Sequence, residues 1–216
     1  MTTKLKVAVI GLGNIGQAVA GNLAKSNRTF IAADRNVAKA KELSAKWGIS
    51  AQASDIATAV KEADVLVLAI PFETIGEFLK QNAANLEGKI IVDPSNPIAP
   101  DENGGFKKII DAEKSAGQIN ATFLPKNAKL AKALGSLGAG SLATAAYQKP
   151  ESATLFYATD DSTINKHIEE LITDNGFAPV RIGDLSKSIR MEVFGDLHEF
   201  GALGKTVTEA EAKEKL

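Results

Sequence analysis

The chain has 216 residues, of which 44% are hydrophobic and 24% charged, and its formal net charge is −1. This length and composition allow a full core in one large domain, or in one domain with a small second one. The near-neutral charge and the lack of a basic run argue against nucleic acid or an anionic membrane surface as the main partner. The chain contains no cysteine, which excludes disulfides, thiolate chemistry and cysteine metal sites.

The amino-terminal segment MTTKLKVAVIG is not expected to be a signal peptide, because its apolar run is short and ends at glycines. No stretch approaches the roughly 20 apolar residues that a membrane span requires. The sequence also shows no metal-ligand cluster and no phosphate-binding P-loop. Because neither a signal peptide nor a membrane span is predicted, we expect a cytoplasmic location.

The segment VAVIGLGNIG at residues 7–16 is the most informative in the chain. Its four apolar residues predict a buried parallel strand, and Gly11, Gly13 and Gly16 follow in the G-x-G-x-x-G spacing of dinucleotide-binding turns. A helical pattern and a second apolar run that ends at Asp34 complete a β-α-β unit. The three glycines would permit the tight turn, the approach of a pyrophosphate and the packing of the helix. A dinucleotide site is therefore predicted, with an ordinary glycine-rich turn as the alternative.

The residues after the second strand bear on the choice of cofactor. Asp34 is expected to accept hydrogen bonds from the adenosine ribose of NAD and to repel the 2′-phosphate of NADP. Arg35, which precedes Asn36, favours the opposite choice if it binds a phosphate, and favours neither if it stacks on the adenine. The predicted cofactor is therefore NAD(P).

Helices and strands are predicted to alternate through the next sixty residues. They are a helix at 36–47 ended by Gly48, a strand at 49–53, a helix at 55–62, a strand at 63–71, a helix at 72–86 and a strand at 89–97. Such alternation predicts an α/β fold, a doubly wound parallel sheet of the Rossmann type, with ligands beyond the carboxyl ends of the strands. The residues expected on that side are Pro71, Phe72, Ser95, Asn96 and Pro97.

The second half of the chain is less regular in sequence. Residues 104–127 predict a loop with a helix, and residues 129–146 are rich in Ala and Gly, which suits a flat ring, a partner subunit or a flexible loop. A strand, a helix and a strand between 153 and 185 predict a small C-terminal α/β lobe, which divides the chain into domains at 1–150 and 151–216. The last residues predict a helix capped by Thr206 and Glu209, or a frayed tail.

Four segments together resemble the NADP oxidoreductases that depend on a deazaflavin coenzyme. They are IGLGNIG, VLVLAIPF, VDPSNP and KALGSLGA, and their order and spacing match the family. The family patterns DxTNP and KAFNT have counterparts at 93–97 and 132–136. A C-terminal pattern of the family, with glycine, leucine, arginine and glutamate, has its counterpart from Gly183 to Glu192. The chain departs from the family at Leu134 and Gly135, which replace an aromatic–asparagine pair, and at Asp34.

The resemblance implies contacts between the cofactor and both the glycine turn and the fourth strand end. Ser95 and Asn96 are expected to face the nicotinamide carboxamide, although turn chemistry alone would also favour these residue types. The predicted cofactor-binding residues are Gly11, Leu12, Gly13, Asn14, Ile15, Gly16, Asp34, Arg35, Asn36, Ile70, Pro71, Phe72, Ser95 and Asn96.

Residues for acid–base catalysis are scarce in this sequence. No catalytic residue is assigned, and the candidates are Asn96 and His198, the latter placed between Gly195 and Gly201. This scarcity suits hydride transfer between nicotinamide and a flavin-like, deazaflavin or quinone-type acceptor, where the protein mainly aligns the reactants. The predicted function is an NAD(P)-dependent oxidoreductase of this kind, with a homodimer as the expected assembly. The alternatives are a small carbonyl or imine reductase, which would need a proton donor, and a non-catalytic NAD(P) sensor.

Overall fold

The computed structural model describes residues 4–216, so the first three residues of the segment considered as a signal peptide lie outside the described residues. Strands and helices alternate along the chain. The strands are β1 (Val7–Ile10), β2 (Phe30–Ala33), β3 (Ala51–Ser54), β4 (Val65–Leu68), β5 (Ile90–Asp93), β6 (Ile98–Pro100), β7 (Phe106–Lys108), β8 (Lys129–Lys132), β9 (Thr154–Thr159) and β10 (Ala178–Gly183). The α-helices are α1 (Asn14–Lys25), α2 (Val37–Trp47), α3 (Ile56–Glu62), α4 (Phe72–Gln81), α5 (Ala83–Leu86), α6 (Ala116–Ala121), α7 (Ala139–Thr144), α8 (Asn165–Asp174) and α9 (Glu209–Lys213).

Eight of these strands form one sheet, in the order β10-β9-β8-β5-β4-β1-β2-β3. All neighbouring pairs are parallel except β8 and β9, which are antiparallel. The chain runs outward from β1 through β2 to β3 and then returns to β4 on the other side of β1. Ligands of such folds bind where the order reverses, beyond the carboxyl ends of the strands. The predicted Rossmann-type α/β fold is confirmed.

Helices cover both faces of this sheet, which explains why β1, β2 and β4 are apolar throughout. Val7 and Val9 of β1 contribute to one core cluster, whereas Ala8 and Ile10 contribute to the other. This follows from the alternation of side chains along a strand. All four residues of β1, β2, β4 and β5 are buried. Their carboxyl ends are therefore held on a rigid base.

The C-terminal strands extend this same sheet. β9 pairs with β8, and β10 pairs with β9. A third apolar cluster, which includes Phe156, Val180, Met191 and Leu197, packs the last part of the chain against these strands. The C-terminal α/β segment thus continues the Rossmann sheet, and the division of the chain into two domains at residue 150 stays a prediction.

Several local predictions differ from the structure. β3 begins at Ala51, because Ile49 lies in a short 3-10 turn and is fully exposed. The hairpin of β6 and β7 was not expected, since its sequence is short and polar. The terminal helix is capped by Thr208 and Glu211, which form a capping box, and not by Thr206 and Glu209.

The Ala- and Gly-rich segment at 129–146 is not a flexible loop. It contains β8 and α7, and residues 133–137 between them are buried. Asn22 of α1 donates a hydrogen bond to the Leu142 carbonyl oxygen at 2.8 Å, which ties α7 to α1. Close packing within the chain thus accounts for part of this segment, and its interpretations as a surface for a flat ring or a partner subunit stay predictions. None of the helices in residues 4–216 is long and apolar enough to cross a membrane.

Candidate functional site

The turn between β1 and α1 requires glycine at two positions. Gly11 has a φ of +88°, which a side chain disfavours, and a Cβ on Gly16 would lie 1.9 Å from the Gly11 carbonyl oxygen. Gly13 differs, because a Cβ there would meet no atom within 4 Å. It is the N-cap of α1, which has neither a side-chain cap nor an acidic residue in its first turn. The turn thus presents helix N–H groups to open space, as an anion-binding turn does.

Asp34 is bound to the backbone of this turn. Its two carboxylate oxygens accept hydrogen bonds from the Leu12 and Asn36 amides, each at 2.9 Å. Burial raises the pKa of Asp34, but the two amides and the charges of Lys39 and Arg35 outweigh it and lower the pKa below its usual range. Lys39 Nζ lies 3.7 Å from the carboxylate. Asp34 is therefore ionised and links the end of β2 to the glycine turn, and two cations lie beside it.

A cavity of about 410 Å³ opens next to the glycine turn at the carboxyl edge of the sheet. Its walls come from four parts of the chain, namely the glycine turn, the ends of β4 and β5, the β6–β7 hairpin with the turn after β8, and the C-terminal segment. The lining residues are Gly13, Asn14, Ile15, Ala69, Ile70, Pro71, Phe72, Pro94, Ser95, Asn96, Ile98, Phe106, Leu137, Gly138, Val193, His198 and Phe200. None of them is Asp, Glu, Lys or Arg.

The turn that carries Ser95 and Asn96 is fixed by its polar groups. Asn96 donates from Nδ2 to the Gly135 carbonyl oxygen at 3.0 Å and accepts at Oδ1 from the Val193 amide at 2.7 Å. A Cβ on Gly135 would lie 2.4 Å from the Pro94 carbonyl oxygen, so only glycine allows this approach. The Asn96 side chain thus joins three loops, through its oxygen and one of its two amide N–H groups. The Ser95 hydroxyl is buried and has no hydrogen-bond partner among residues 4–216.

His198 is buried in the opposite wall, with 1% of its surface exposed. Its Nδ1 accepts a hydrogen bond from the Phe200 amide at 2.9 Å, which places the proton of the neutral ring on Nε2. Burial lowers the pKa of His198 to about 4. The charge of Glu199 and the nearby Gly135 carbonyl oppose this shift, although that carbonyl does not accept a hydrogen bond from the ring. The ring is therefore neutral at physiological pH and is not an acid of the imidazolium type.

The His198 geometry predicts a pH-dependent stability. Its pKa is lowered from 6.5 to about 4, so below pH 6.5 the unfolded chain binds a proton that the folded chain resists. Stability present above pH 6.5 is lost as the pH falls towards 4. From pH 7 to pH 5 we expect a loss of about 2 kcal/mol in the free energy of unfolding. Urea denaturation of the wild type and of His198→Gln measures it, and an equal loss in both proteins would contradict it.

The structure brings many of the predicted residues to one place. Gly13, Asn14, Ile15, Ile70, Pro71, Phe72, Ser95 and Asn96 all line the cavity, and so does His198. Gly11, Leu12 and Gly16 shape the turn behind it. Asp34, Arg35 and Asn36 lie at the other end of the turn, where Asn36 is the N-cap of α2. Their binding roles stay predictions.

Sequence reasoning missed the outer walls of the cavity. Ile98, Phe106, Val193 and Phe200 come from segments without a recognisable motif, whereas Leu137 and Gly138 belong to the KALGSLGA segment but were not named as site residues. Lys39 was missed as well, although its position one helical turn after Arg35 could have indicated it. The missed wall includes Phe106 and Phe200, which are 57% and 59% exposed at the mouth of the cavity.

Comparison with known proteins supports the motif analysis. Residues 6–97 match the family "NADP oxidoreductase coenzyme F420-dependent", which confirms the resemblance that the sequence motifs indicated. An F420-dependent NADP reductase of Methanocaldococcus jannaschii is 35% identical over 104 residues, which cover 44% of this chain and 47% of that protein. The chain thus spans about half the length of this curated relative.

Two solved structures resemble most of the chain. A hypothetical protein of Sinorhizobium meliloti, SMa0349, has a TM-score of 0.82 at 28% identity, with 95% of this chain and 96% of that chain covered. A protein of Arthrobacter sp. FB24, whose name proposes an F420-dependent NADP reductase, has a TM-score of 0.72 at 22% identity, with coverages of 86% and 87%. The second likeness shows a shared fold.

Proposed function

We propose that the protein is an NADP(H)-dependent oxidoreductase that transfers a hydride between nicotinamide and a flat, uncharged ring such as a flavin, a deazaflavin or a quinone. The observation that carries this proposal is the uncharged cavity that begins at the glycine turn and widens between exposed phenylalanines. The family matched by residues 6–97 consists of NADP oxidoreductases, which agrees with it.

The residues of the turn fit a dinucleotide. Gly13 leaves open the space that a pyrophosphate needs, and the uncapped N-terminus of α1 offers N–H groups to it. The nicotinamide half then extends along the ends of β4 and β5, past Pro71 and Ser95, because these residues line the cavity beyond the turn. When bound, the nicotinamide supplies or accepts the hydride, whereas the protein aligns the reactants and excludes water.

The surroundings of Asp34 favour NADP(H) over NAD(H). Both oxygens of Asp34 accept backbone hydrogen bonds, and Lys39 lies 3.7 Å from the carboxylate. Arg35 is exposed at the start of α2 and makes no side-chain hydrogen bond within residues 4–216. Because both oxygens of Asp34 already accept hydrogen bonds, the two cations beside it give a site that attracts a 2′-phosphate.

The chemistry of the cavity wall favours a neutral ring as the acceptor. Small hydroxy, keto and imino acids carry a carboxylate, which binding sites usually hold with Arg or Lys, and no lining residue is of either type. Reduction of a carbonyl or an imine also needs a proton donor. The His198 ring, with a pKa of about 4, and the engaged Asn96 amide do not provide one. These contacts weigh against the carbonyl or imine reductase.

The function is tested by titrating the protein with NADPH and NADH by fluorescence and then adding flavin, deazaflavin or quinone. The proposal predicts tighter binding of NADPH and acceptor-dependent loss of its absorbance. Binding without oxidation by any acceptor would instead favour a non-catalytic sensor. Turnover of a small keto or imino acid in place of a flat ring would overturn the proposed acceptor class.

The two exposed phenylalanines give a prediction about the acceptor alone. Phe106→Ser and Phe200→Ser are each expected to raise the KM for the acceptor about threefold to tenfold, since an aromatic contact contributes about 0.5–1.5 kcal/mol beyond its buried area. The affinity for NADPH should stay within about twofold. Ile49→Ser is the control, because Ile49 is fully exposed and remote from the cavity. An unchanged KM in both phenylalanine variants would show that the acceptor does not contact this rim.

A further inference from the structure

One buried ion pair holds the turn that carries Ser95. Asp93 ends β5 and is paired in register with Lys132, which ends β8. Lys132 Nζ lies 3.2 Å from Asp93 Oδ2, and the two side chains are 2% and 0% exposed. Asn120 of α6 also donates to Asp93 Oδ2, at 2.8 Å. The pair thus lies directly behind the cavity wall, and neither member lines the cavity.

Both members of the pair bind the backbone of Ser95. Asp93 Oδ1 accepts a hydrogen bond from the Ser95 amide at 2.7 Å, and Lys132 donates one to the Ser95 carbonyl oxygen. A buried ion pair costs desolvation free energy and often adds little to stability. Here the hydrogen bonds of the pair to the Ser95 amide and carbonyl oxygen hold the Ser95 backbone on both sides of its side chain. This arrangement restricts Ser95 to one position at the wall of the cavity.

The Ser95 hydroxyl is the group that this arrangement leaves available. Ser95 is 9% exposed and lines the cavity, and its Oγ has no hydrogen-bond partner within residues 4–216. Buried hydroxyls are normally hydrogen-bonded, so an unpaired one at a cavity wall indicates a missing partner. The neighbouring Asn96 amide is already engaged by Gly135 and Val193. Rotation about one bond moves a serine hydroxyl between staggered positions, so the group can meet a ligand there.

We propose that Asp93 and Lys132 are positioning residues that hold Ser95 so that its hydroxyl forms a hydrogen bond with the carboxamide of the nicotinamide ring. This inference rests on the proposed function, since it requires the nicotinamide half of the cofactor to extend from Gly13 towards the end of β5. The carboxamide is the polar substituent of that ring, and Ser95 lies between the apolar Pro94 and Asn96, whose side chain is held by Gly135 and Val193.

The test compares two ligands that differ by the nicotinamide. The affinity for NADPH is divided by the affinity for 2′-phospho-ADP-ribose, which lacks the ring. Ser95→Ala is expected to lower this ratio about threefold to tenfold, the effect of one hydrogen bond. Lys132→Met is expected to lower it to a similar extent. In the Ser95→Ala background, Lys132→Met should change it by less than about twofold, because both act through one hydroxyl.

Two further variants keep the test decisive. If Lys132→Met leaves Asp93 too poorly compensated to fold, Asp93→Asn combined with Lys132→Met removes both charges and is expected to give the same lowered ratio. Lys89→Met is the control, since Lys89 precedes β5 at the other end of the sheet and donates to three backbone carbonyls there. It should alter stability but leave the ratio unchanged.

The inference is overturned if Ser95→Ala binds both ligands as the wild type does, or if the effect of Lys132→Met is undiminished in the Ser95→Ala background. Both are binding measurements and need no acceptor. Failure to reduce any flat acceptor would overturn the proposed reaction and leave the ratio intact. The two failures are therefore distinguishable.

Discussion

Gly13→Val is expected to abolish NADPH binding and to leave the fold intact. In the free protein a Cβ at this position meets no atom within 4 Å, and the backbone φ of −74° is accessible to valine. In the complex the new side chain would occupy the space of the pyrophosphate. Loss of two charge-assisted hydrogen bonds, each about 1.5–3 kcal/mol, weakens binding at least about 100-fold. Fluorescence titration measures the affinity, and thermal unfolding checks the fold.

Gly140→Val is the matched control for this variant. A Cβ on Gly140 also meets nothing within 4 Å, but the residue lies in α7 and does not line the cavity. We expect normal NADPH binding and little change in the unfolding temperature. Should Gly13→Val bind NADPH as tightly as this control, the phosphates would have to lie elsewhere.

Arg35→Ala combined with Lys39→Ala is expected to remove the preference for NADPH. A hydrogen bond to a charged group contributes about 1.5–3 kcal/mol, so loss of both cations should weaken NADPH binding about 100-fold. NADH lacks the 2′-phosphate, and its affinity should change by less than about threefold. The affinities for the two nucleotides, measured in the wild type and in the variant, give the preference directly.

Lys41→Ala is the control for nonspecific loss of positive charge. Lys41 is exposed on α2, two residues from Lys39, and therefore points in a different direction. It should leave both affinities unchanged. A wild type that binds NADH more tightly than NADPH would show that Asp34 governs the choice, as the carboxylate alone first indicated.

The sheet and the glycine turn could be predicted from the sequence because their constraints are local. An apolar run, a glycine spacing and a helical pattern each follow from a few neighbouring residues, and together they specify β1, α1 and β2. Asp34 was located correctly in sequence, but its two bonds to backbone amides depend on the tertiary fold. The local sequence pattern therefore predicted where Asp34 lies in the chain but not which groups it contacts.

The outer wall of the cavity could not be predicted for a related reason. Phe106 comes from a short hairpin and Phe200 from a turn near the C-terminus, whereas His198 was already a candidate on the sequence. β8 was hard to recognise in the sequence because lysines begin and end it, and Lys132 is buried through its contacts with Asp93 and the Ser95 carbonyl oxygen. These positions depend on contacts between residues far apart in the chain, which periodicity does not encode.

The cavity has two walls of different origin along the chain. The wall that the proposed function assigns to the nucleotide, from Gly13 to Asn96, falls within residues 6–97, whereas Phe106, Leu137, Val193, His198 and Phe200 all lie beyond that range. If the proposed function holds, nucleotide recognition and acceptor recognition depend on separate parts of the chain and can diverge separately in evolution. The same separation makes the second wall a natural target for protein engineering, in which a new acceptor is selected while the reductant stays the same.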